Sequence, residues 1–339
     1  MSSKSRKKVL LMGKSGSGKT SMRAIIFKSQ LAADTRRLGA TIDVESSQIK
    51  FLGGLRLDLW DCGGQDSFMD SHLTAQSSTV FRSVHSLIYI FDAESPELLT
   101  SDTVYFLKCL RALRDQNPSS SSSAAPAANG SPAPTSAPGE DGGPMVFVLL
   151  HKMDLVPVDL QASKLAEFEN EVTKKAREGG YKGGMQFYGT SIWNETLYKA
   201  WSIVISHLMP SLASLRTHLN SFLSLSSASE IVLFERTTFL VISSVTNEDE
   251  SHDTEWDERR FERISTMVKA FKLGCSKIRS PFSSLTVSTP HYTAVLDALT
   301  PETYILVVAK GAIQPAALEL NIRLGRPHFA KLEAIGMGR

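Results

Sequence analysis

The sequence predicts an α/β domain with a mainly parallel sheet, followed by a smaller α+β domain. Residues 8–117 and 144–209 alternate short apolar runs with helical patterns, which is typical of βαβ units. From Ile231 onward the pattern changes to closely spaced strands around one long helical stretch. A chain of 339 residues is long enough to build a core in each of two domains.

The first domain is predicted to span residues 8–209, after a basic tail at residues 1–7. Its strand candidates are the apolar runs Lys8–Met12, Leu55–Trp60, Leu87–Phe91 and Val146–Leu150, with a shorter run around Phe187. A helix is expected after the third strand. Ser95 is suited to cap it, Pro96 suits its first turn, and its apolar periodicity ends near Gln116.

Residues 118–144 interrupt this domain with a segment that consists almost entirely of Ser, Ala, Pro and Gly. A segment without aromatic or large aliphatic side chains cannot bury enough apolar area to offset its ordering entropy. We therefore predict a disordered insertion in a surface loop. Its serines are either phosphorylation sites or part of an inert loop.

A helical connector is predicted at residues 210–229, because Pro210 ends one helical pattern and a new apolar stripe follows. The second domain is predicted at residues 230–339. Its expected elements are strands Ile231–Phe234 and Phe239–Ser243, a helix from Phe261 to Ile278, strands near Leu285, Val295 and Ile305, and a helix from Pro315 to Ile335. Pro327 is expected to break or bend that last helix.

Composition and charge exclude several classes of function. The 37 basic and 35 acidic residues leave a formal net charge of +2, which gives no electrostatic reason to bind nucleic acid. The three cysteines are odd in number and far apart, so they favour a reducing compartment over a disulfide framework. The apolar runs are far shorter than a membrane span, and we recognise no signal-peptide or lipidation motif. We expect no direct membrane insertion.

The segment Gly13–Thr20, GKSGSGKT, matches the phosphate-binding pattern G-x-x-x-x-G-K-[ST] and lies between a predicted strand and a predicted helix. Its glycines allow successive backbone N–H groups to face phosphate oxygens, Lys19 neutralises the outer phosphates, and the Thr20 hydroxyl is a ligand for Mg²⁺. The predicted nucleotide-binding residues of this loop are Ser15, Gly16, Ser17, Gly18, Lys19 and Thr20.

Further polar groups follow the ends of other predicted strands. Asp61 comes directly after one strand and opens DCGGQ, which places a carboxylate near the magnesium ion. HKMD at residues 151–154 and TSI at residues 190–192 follow two more strands. Open α/β sheets bind ligands at the carboxyl ends of their strands, so we expect these segments to line one site.

In order and spacing, GKSGSGKT, Thr41, DCGGQ, HKMD and TSI resemble the five motifs of the Ras-like GTPase superfamily. Four longer segments narrow the likeness to Rag GTPases of the A/B type: TRRLGATIDVE, LWDCGGQDSFM, SIWNETLYKAW and FKLGCSKI. The resemblance covers nearly the whole chain outside residues 118–144. It implies a Ras-like P-loop G domain followed by a roadblock-like (longin-related) dimerisation domain.

The resemblance also implies roles for individual residues. Thr20, Thr41 and Asp61 would serve the magnesium ion, and Gly64 would sense the γ-phosphate of GTP. Gln65 would be the catalytic residue that orients the attacking water. The nucleotide base would be held by His151, Lys152, Asp154, Ser191 and Ile192, with Asp154 accepting the two guanine N–H groups. His151 occupies a position where many Ras-like proteins have asparagine. Arg36 and Arg37 are either surface contacts or the source of a catalytic arginine in cis.

The implied function is a GTP/GDP switch, with Mg²⁺ as cofactor, in amino-acid signalling to the target-of-rapamycin kinase complex. The implied partners are a C/D-type paralogue bound through the second domain, a lipid-anchored scaffold complex and GTPase-activating regulators. The protein would be cytoplasmic and peripheral on the lysosomal or vacuolar membrane. Two alternatives stay open: a nucleotide-bound scaffold without relevant hydrolysis, and an Arf-like trafficking GTPase suggested by WDCGGQ. The second leaves residues 230–339 unexplained.

Overall fold

The computed structural model describes residues 6–28, 30–39, 45–50, 56–62, 77–117, 144–209, 212–247, 260–280 and 282–336. These residues form two sheets with helices on both faces of each. Except for Pro144, the predicted insertion at residues 118–144 lies outside the described residues, as does most of the predicted basic tail. No helix in the described part of the chain combines the length and the apolar character that a membrane crossing requires.

The first sheet has six strands in the order β2-β3-β1-β4-β5-β6. The strands are β1 Arg6–Met12, β2 Glu45–Lys50, β3 Arg56–Asp61, β4 Val84–Asp92, β5 Met145–His151 and β6 Met185–Thr190. Every neighbouring pair is parallel except β2 with β3. The structure therefore confirms the mainly parallel sheet, and it adds the antiparallel edge strand β2, which we did not expect.

Helices cover both faces of this sheet because successive side chains of its strands point to opposite sides. The helices are α1 Lys19–Phe27, α2 Ser77–Phe81, α3 Ser101–Gln116, α4 Val158–Glu178 and α5 Thr196–Leu208, with 3₁₀ turns at Ala32–Arg37 and Met153–Leu155. Val9 and Leu11 pack in the cluster that contains α1 and α5. Leu10 and Met12 pack in the cluster that contains α3 and α4. Parallel strands buried on both faces explain the continuous apolar runs of the sequence.

The start of α3 differs from the prediction. The helix begins at Ser101, so the cap expected at Ser95 is wrong, whereas the end at Gln116 is confirmed. The Ser95 hydroxyl accepts a hydrogen bond from the Glu97 N–H at 3.3 Å. The Thr103 hydroxyl donates to the Leu98 carbonyl at 2.7 Å. Such local side-chain bonds stabilise turns in competition with the helix.

The second sheet has five antiparallel strands in the order β8-β7-β11-β10-β9. Its strands are β7 Glu230–Glu235, β8 Val241–Thr246, β9 Leu285–Ser288, β10 Tyr292–Thr300 and β11 Thr303–Lys310. The helices around it are α6 Leu212–Ser226, α7 Arg260–Lys277 and α8 Pro315–Gly336. One face packs on α6 and α8, and the other packs on α7. These elements confirm the α+β class of the second domain.

Helix α8 continues through Pro327, so the helix is not broken there, and the alternative of a bend stays a prediction. Ile322 and Phe329, on either side of the proline, are both buried against the sheet. Arg326 anchors the same turn, because its Nη2 donates to Asp297 Oδ2 at 2.6 Å and its Nε donates to the Ala298 carbonyl at 2.8 Å. These contacts offset the hydrogen bond that a proline removes from a helix interior.

Candidate functional site

The loop between β1 and α1 has a backbone that only glycine adopts easily. The φ angles of Gly13, Gly16 and Gly18 are +146°, +80° and +97°. A β-carbon on Gly13 would lie only 2.2 Å from the Ile90 carbonyl oxygen on β4. The loop therefore turns tightly over the end of the sheet, with Ser15 and Gly16 exposed. Its backbone N–H groups lead into the amino terminus of α1, an arrangement that suits anions.

Lys19 places a buried ammonium group inside this loop. Only 5% of the residue is exposed, and its Nζ donates to the carbonyls of Gly13 and Lys14 at 2.8 Å each. Burial lowers the pKa of Lys19 to about 8. The neighbouring Ser17 Oγ is also buried, with no hydrogen-bond partner among the described residues. A phosphate group would bring negative charge to the Lys19 ammonium and an acceptor to the Ser17 hydroxyl.

Asp61, at the carboxyl end of β3, lies beside the loop and is fully buried. Its Oδ2 is 3.3 Å from Thr20 Oγ1 and 3.3 Å from Arg23 Nε. Its Oδ1 has no hydrogen-bond partner in the described part of the chain. Burial raises the pKa of Asp61, although the charges of Arg23 and Lys19 lower it. Mg²⁺ prefers oxygen ligands such as carboxylates and hydroxyls, so Asp61, with its unpartnered Oδ1 among the described residues, and Thr20 could hold this ion.

His151, at the end of β5, packs directly against the phosphate-binding loop. A β-carbon on Gly18 would lie 2.7 Å from His151 Cδ2 and 2.9 Å from Nε2. On its other side, His151 Nδ1 is 2.9 Å from Thr190 Oγ1 at the end of β6. Burial lowers the pKa of His151 to about 4, so the ring is neutral at neutral pH. This histidine joins the loop after β1 to the loops after β5 and β6.

The loops after β5 and β6 bring the remaining predicted residues together. The Ser191 hydroxyl donates to Asp154 Oδ1 at 2.5 Å and accepts from the Trp193 N–H at 3.0 Å. Lys152 adopts a φ of +65°, and its Nζ donates to Asp92 Oδ2 at 2.5 Å. Asp154 is exposed, and the neighbouring Ile192 is half-buried. The arrangement presents a fixed carboxylate to solvent beside the backbone of residues 191–192.

Twelve of the fifteen predicted site residues therefore lie along one edge of the first sheet. They are Ser17, Gly18, Lys19, Thr20 and Asp61 on one side and His151, Lys152, Asp154, Ser191 and Ile192 on the other, with Ser15 and Gly16 at the loop tip. Thr41, Gly64 and Gln65 lie outside the described residues, so their roles stay predictions.

The structure also shows supporting residues that the sequence analysis missed. Asp92 holds Lys152, Arg23 contacts Asp61, and Thr190 orients His151. Asp92 could have been found, since it follows the apolar part of β4 as Asp61 follows that of β3. The guanidinium of Arg36 lies over the Trp193 ring, 5.4 Å from its centroid. Whether Arg36 or Arg37 also supplies a catalytic arginine stays a prediction.

Replacing Gly18 by alanine should destabilise the protein by more than the backbone strain alone, because the added β-carbon also collides with His151. We expect Gly18→Ala to lower the free energy of unfolding by about 2–4 kcal/mol, through the positive φ and the collision with the imidazole. Gly16→Ala is the matched control, because its φ is also positive but a β-carbon there meets open space. It should cost about 1–2 kcal/mol. Urea unfolding without added ligand measures both.

A double-mutant cycle with His151→Ala isolates the collision itself. The double variant Gly18→Ala/His151→Ala should lose less free energy of unfolding than the two single variants lose together. The difference should be about 1 kcal/mol or more. Equal losses for Gly16→Ala and Gly18→Ala, or strict additivity in the cycle, would contradict the contact.

Comparison with known proteins gives a family match over most of the chain. A sequence model of the Gtr1/RagA G protein conserved region matches residues 8–122 and 141–268. The matched residues include every predicted site residue and extend through the first part of the second domain. The interruption at residues 123–140 falls within the predicted insertion.

Individual relatives show the same pattern. Ras-related GTP-binding protein B of Rattus norvegicus is 40% identical over 359 aligned residues, covering 97% of this chain and 87% of its own. GTP-binding protein gtr1 of Schizosaccharomyces pombe is 43% identical, covering 95% of this chain and 94% of its own. Ras-related GTP-binding protein C of Homo sapiens is a more distant relative, 25% identical over 71% of this chain and 53% of its own.

Proposed function

Since the chain belongs to the Gtr1/RagA family of small GTP-binding proteins, which are GTPases, we propose that it acts as a guanine-nucleotide switch. The observation that carries this proposal is the contact of His151 with Gly18, which joins the phosphate-binding loop to the carboxylate of Asp154. Because His151 holds the phosphate site and the base site next to each other, one nucleotide could occupy both. Bound GTP or GDP would then set the conformation that partner proteins recognise.

At the phosphates, we assign binding to the backbone of residues 15–20 and to Lys19. A bound phosphate would replace the carbonyl partners of the Lys19 ammonium and raise its lowered pKa. Thr20 and Asp61 would hold Mg²⁺, which when bound neutralises charge on the β- and γ-phosphates. Thr41 would close over the γ-phosphate, and Gly64 would contact it through its backbone N–H.

At the base, Asp154 would accept the two N–H groups of the guanine edge, a pairing that adenine does not offer. The Ser191 hydroxyl holds that carboxylate at 2.5 Å, so Asp154 is oriented before the nucleotide binds. The backbone of Ser191 and Ile192 would face the guanine carbonyl. His151 stays uncharged and packs on Gly18, in place of the asparagine found in many Ras-like proteins.

The Asp154 role predicts a change of base preference. Asp154→Asn should weaken GDP binding about 100-fold or more and should favour xanthosine diphosphate, because the amide donates to the extra carbonyl of xanthine. Competition binding with both nucleotides measures the preference. Asp159→Asn, an exposed carboxylate nearby on α4, is the control and should bind as wild type does. If Asp154→Asn kept its preference for guanine, other contacts would determine specificity.

Hydrolysis is expected to depend on Gln65, whose amide would orient the attacking water. Gln65→Leu should keep GTP affinity within about twofold, since the phosphate loop is untouched, and should slow regulator-stimulated single-turnover hydrolysis about 100-fold. Unchanged stimulated turnover in the variant would refute this role. Absence of stimulated hydrolysis in wild type would instead favour the alternative of a nucleotide-bound scaffold.

For the second domain, we propose pairing with a C/D-type paralogue. Among the described residues β9 pairs only with β10, so its outer edge is open to another strand. Exposed apolar side chains lie on α7 and directly after it, at Met267, Phe271 and Ile278, and on the two strands at this edge, at Val287 and Tyr292. A similar domain would cover both the strand edge and these side chains. The family includes C-type relatives, which could supply such a domain.

Charge on this surface should prevent pairing. Phe271→Glu, at a side chain that is 53% exposed, should abolish copurification of the full-length chain with a co-expressed C/D-type paralogue, because a carboxylate would be buried without a partner. Leu225→Glu is the control. Leu225 is 83% exposed but lies on α6, which packs on the opposite face of the sheet. Light scattering measures the mass of each product. Loss of pairing in the control, or its retention in Phe271→Glu, would contradict the assignment.

The remaining parts of the proposal concern the setting in which the switch operates. We propose that the paired domains dock on a lipid-anchored scaffold at the lysosomal or vacuolar surface and signal amino-acid supply to the target-of-rapamycin kinase complex. GTPase-activating regulators would reset the switch. The Arf-like alternative is not favoured, because the match to the Gtr1/RagA model continues to residue 268 in the second domain.

A further inference from the structure

Lys269 extends from helix α7 of the second domain into the first domain. Its Nζ donates to the carbonyls of Ile25 and Ile26, at 3.2 Å each, and lies 4.6 Å from the centroid of the Tyr198 ring. Only 7% of the residue is exposed. The two carbonyls belong to α1, and Tyr198 belongs to α5. A buried side chain from one domain therefore donates to one helix of the other domain and lies against a second.

The two carbonyls lie in the last turn of α1, where helix geometry leaves carbonyls without donors from the same helix. Within the described residues, the preceding carbonyl, that of Ala24, accepts the N–H groups of Lys28 and Gln30. The next two accept from Lys269. A positive charge at the carboxyl end of a helix is also favourable electrostatically. Lys269 thus caps α1 from another domain.

Helix α1 joins two parts of the proposed nucleotide site. It begins at Lys19 and Thr20, and the 3₁₀ turn Ala32–Arg37 that follows it leads toward Thr41. A cap at its carboxyl end restrains both parts. We propose that Lys269 is a positioning residue for the nucleotide site, through which the second domain slows nucleotide release. This proposal rests on the proposed function, because it requires that the loop holds a nucleotide.

The pH dependence of nucleotide release distinguishes this role from a purely structural contact, because Lys269 changes its charge near neutral pH. Burial lowers the pKa of Lys269 to about 7, while Glu235 on β7 raises it and Lys272 on α7 lowers it. Tyr198 is the aromatic group on the facing helix. The neutral amine keeps two N–H donors but loses its attraction to the ring and to the helix end. The cap is therefore strongest below pH 7 and weaker above it.

The test compares Lys269→Met with Lys272→Met in the full chain. Methionine keeps the length and apolar character of the side chain but cannot donate. Lys272 is the matched control, because it lies one turn along α7 and donates to the Arg236 carbonyl within its own domain. Release of a fluorescent GDP analogue is followed from pH 6 to pH 8.5. We expect release from Lys269→Met to be about fivefold faster than from wild type at pH 6.

The ratio of these two release rates should fall towards about twofold at pH 8.5, since wild type itself loses the charge. Taking the ratio cancels titration of Lys19 and of the nucleotide. Lys272→Met should match wild type at pH 6, where Lys269 is charged in both proteins. Lys269→Gln, which keeps two N–H donors, should release GDP more slowly than Lys269→Met but without the pH dependence of the wild-type cap.

Three results would overturn the proposal: equal release from Lys269→Met and wild type, a ratio that does not change with pH, or equal effects of the two methionine variants. A lower melting temperature of Lys269→Met with unchanged release would show that the contact only holds the domains together. Failure of wild type to retain guanine nucleotide would refute the proposed function itself, and this inference with it.

Discussion

The site depends on one steric constraint, the close approach of the phosphate-binding loop to the end of strand β4. There is no room for a side chain at Gly13, because the Ile90 carbonyl already occupies that space. The loop consequently lies flat on the sheet edge, and Gly18 is brought against His151. Strands β1, β3, β5 and β6 run in the same direction as β4, because the pairs β3–β1, β1–β4, β4–β5 and β5–β6 are all parallel. The polar residues that follow these strands therefore lie at the same edge of the sheet. Loop conformation and strand direction together bring the residues of the site to one edge of the sheet.

The two domains form a continuous packed structure. One apolar cluster extends from the β1 face of the first sheet through α1 and α5 to one face of the second sheet. Within it, Trp201 of α5 meets Phe27 edge to face, with ring centroids 4.9 Å apart. The Val241 N–H donates to the Ser202 hydroxyl at 3.1 Å, which ties β8 to α5. A displacement of the carboxyl end of α1 would therefore be felt by side chains that pack against the second domain.

Periodicity and local motifs predicted the parallel sheet, the second α+β domain and the residues at strand ends, because those signals lie within short stretches of chain. The strand β2 escaped prediction because ESSQIK is mostly polar and is held by its pairing with β3. The bonds of Lys14 to Glu97 and Ser101 join residues 83 and 87 positions apart. Lys269 is 244 positions from Ile25. Such pairs leave no periodic trace in the sequence, so only the folded chain shows them.

The neutral imidazole of His151 determines how acidic the solution must become before the contacts around it change. A solvent-exposed histidine would gain charge near pH 6.5 and would repel the neighbouring Lys152. Burial moves that transition to about pH 4, well below the pH of most cellular fluids. The contacts of His151 with the phosphate-binding loop and with Thr190 therefore do not change when the pH falls moderately. A histidine that is hidden from water can therefore pack on Gly18 without bringing a charge to the phosphate loop.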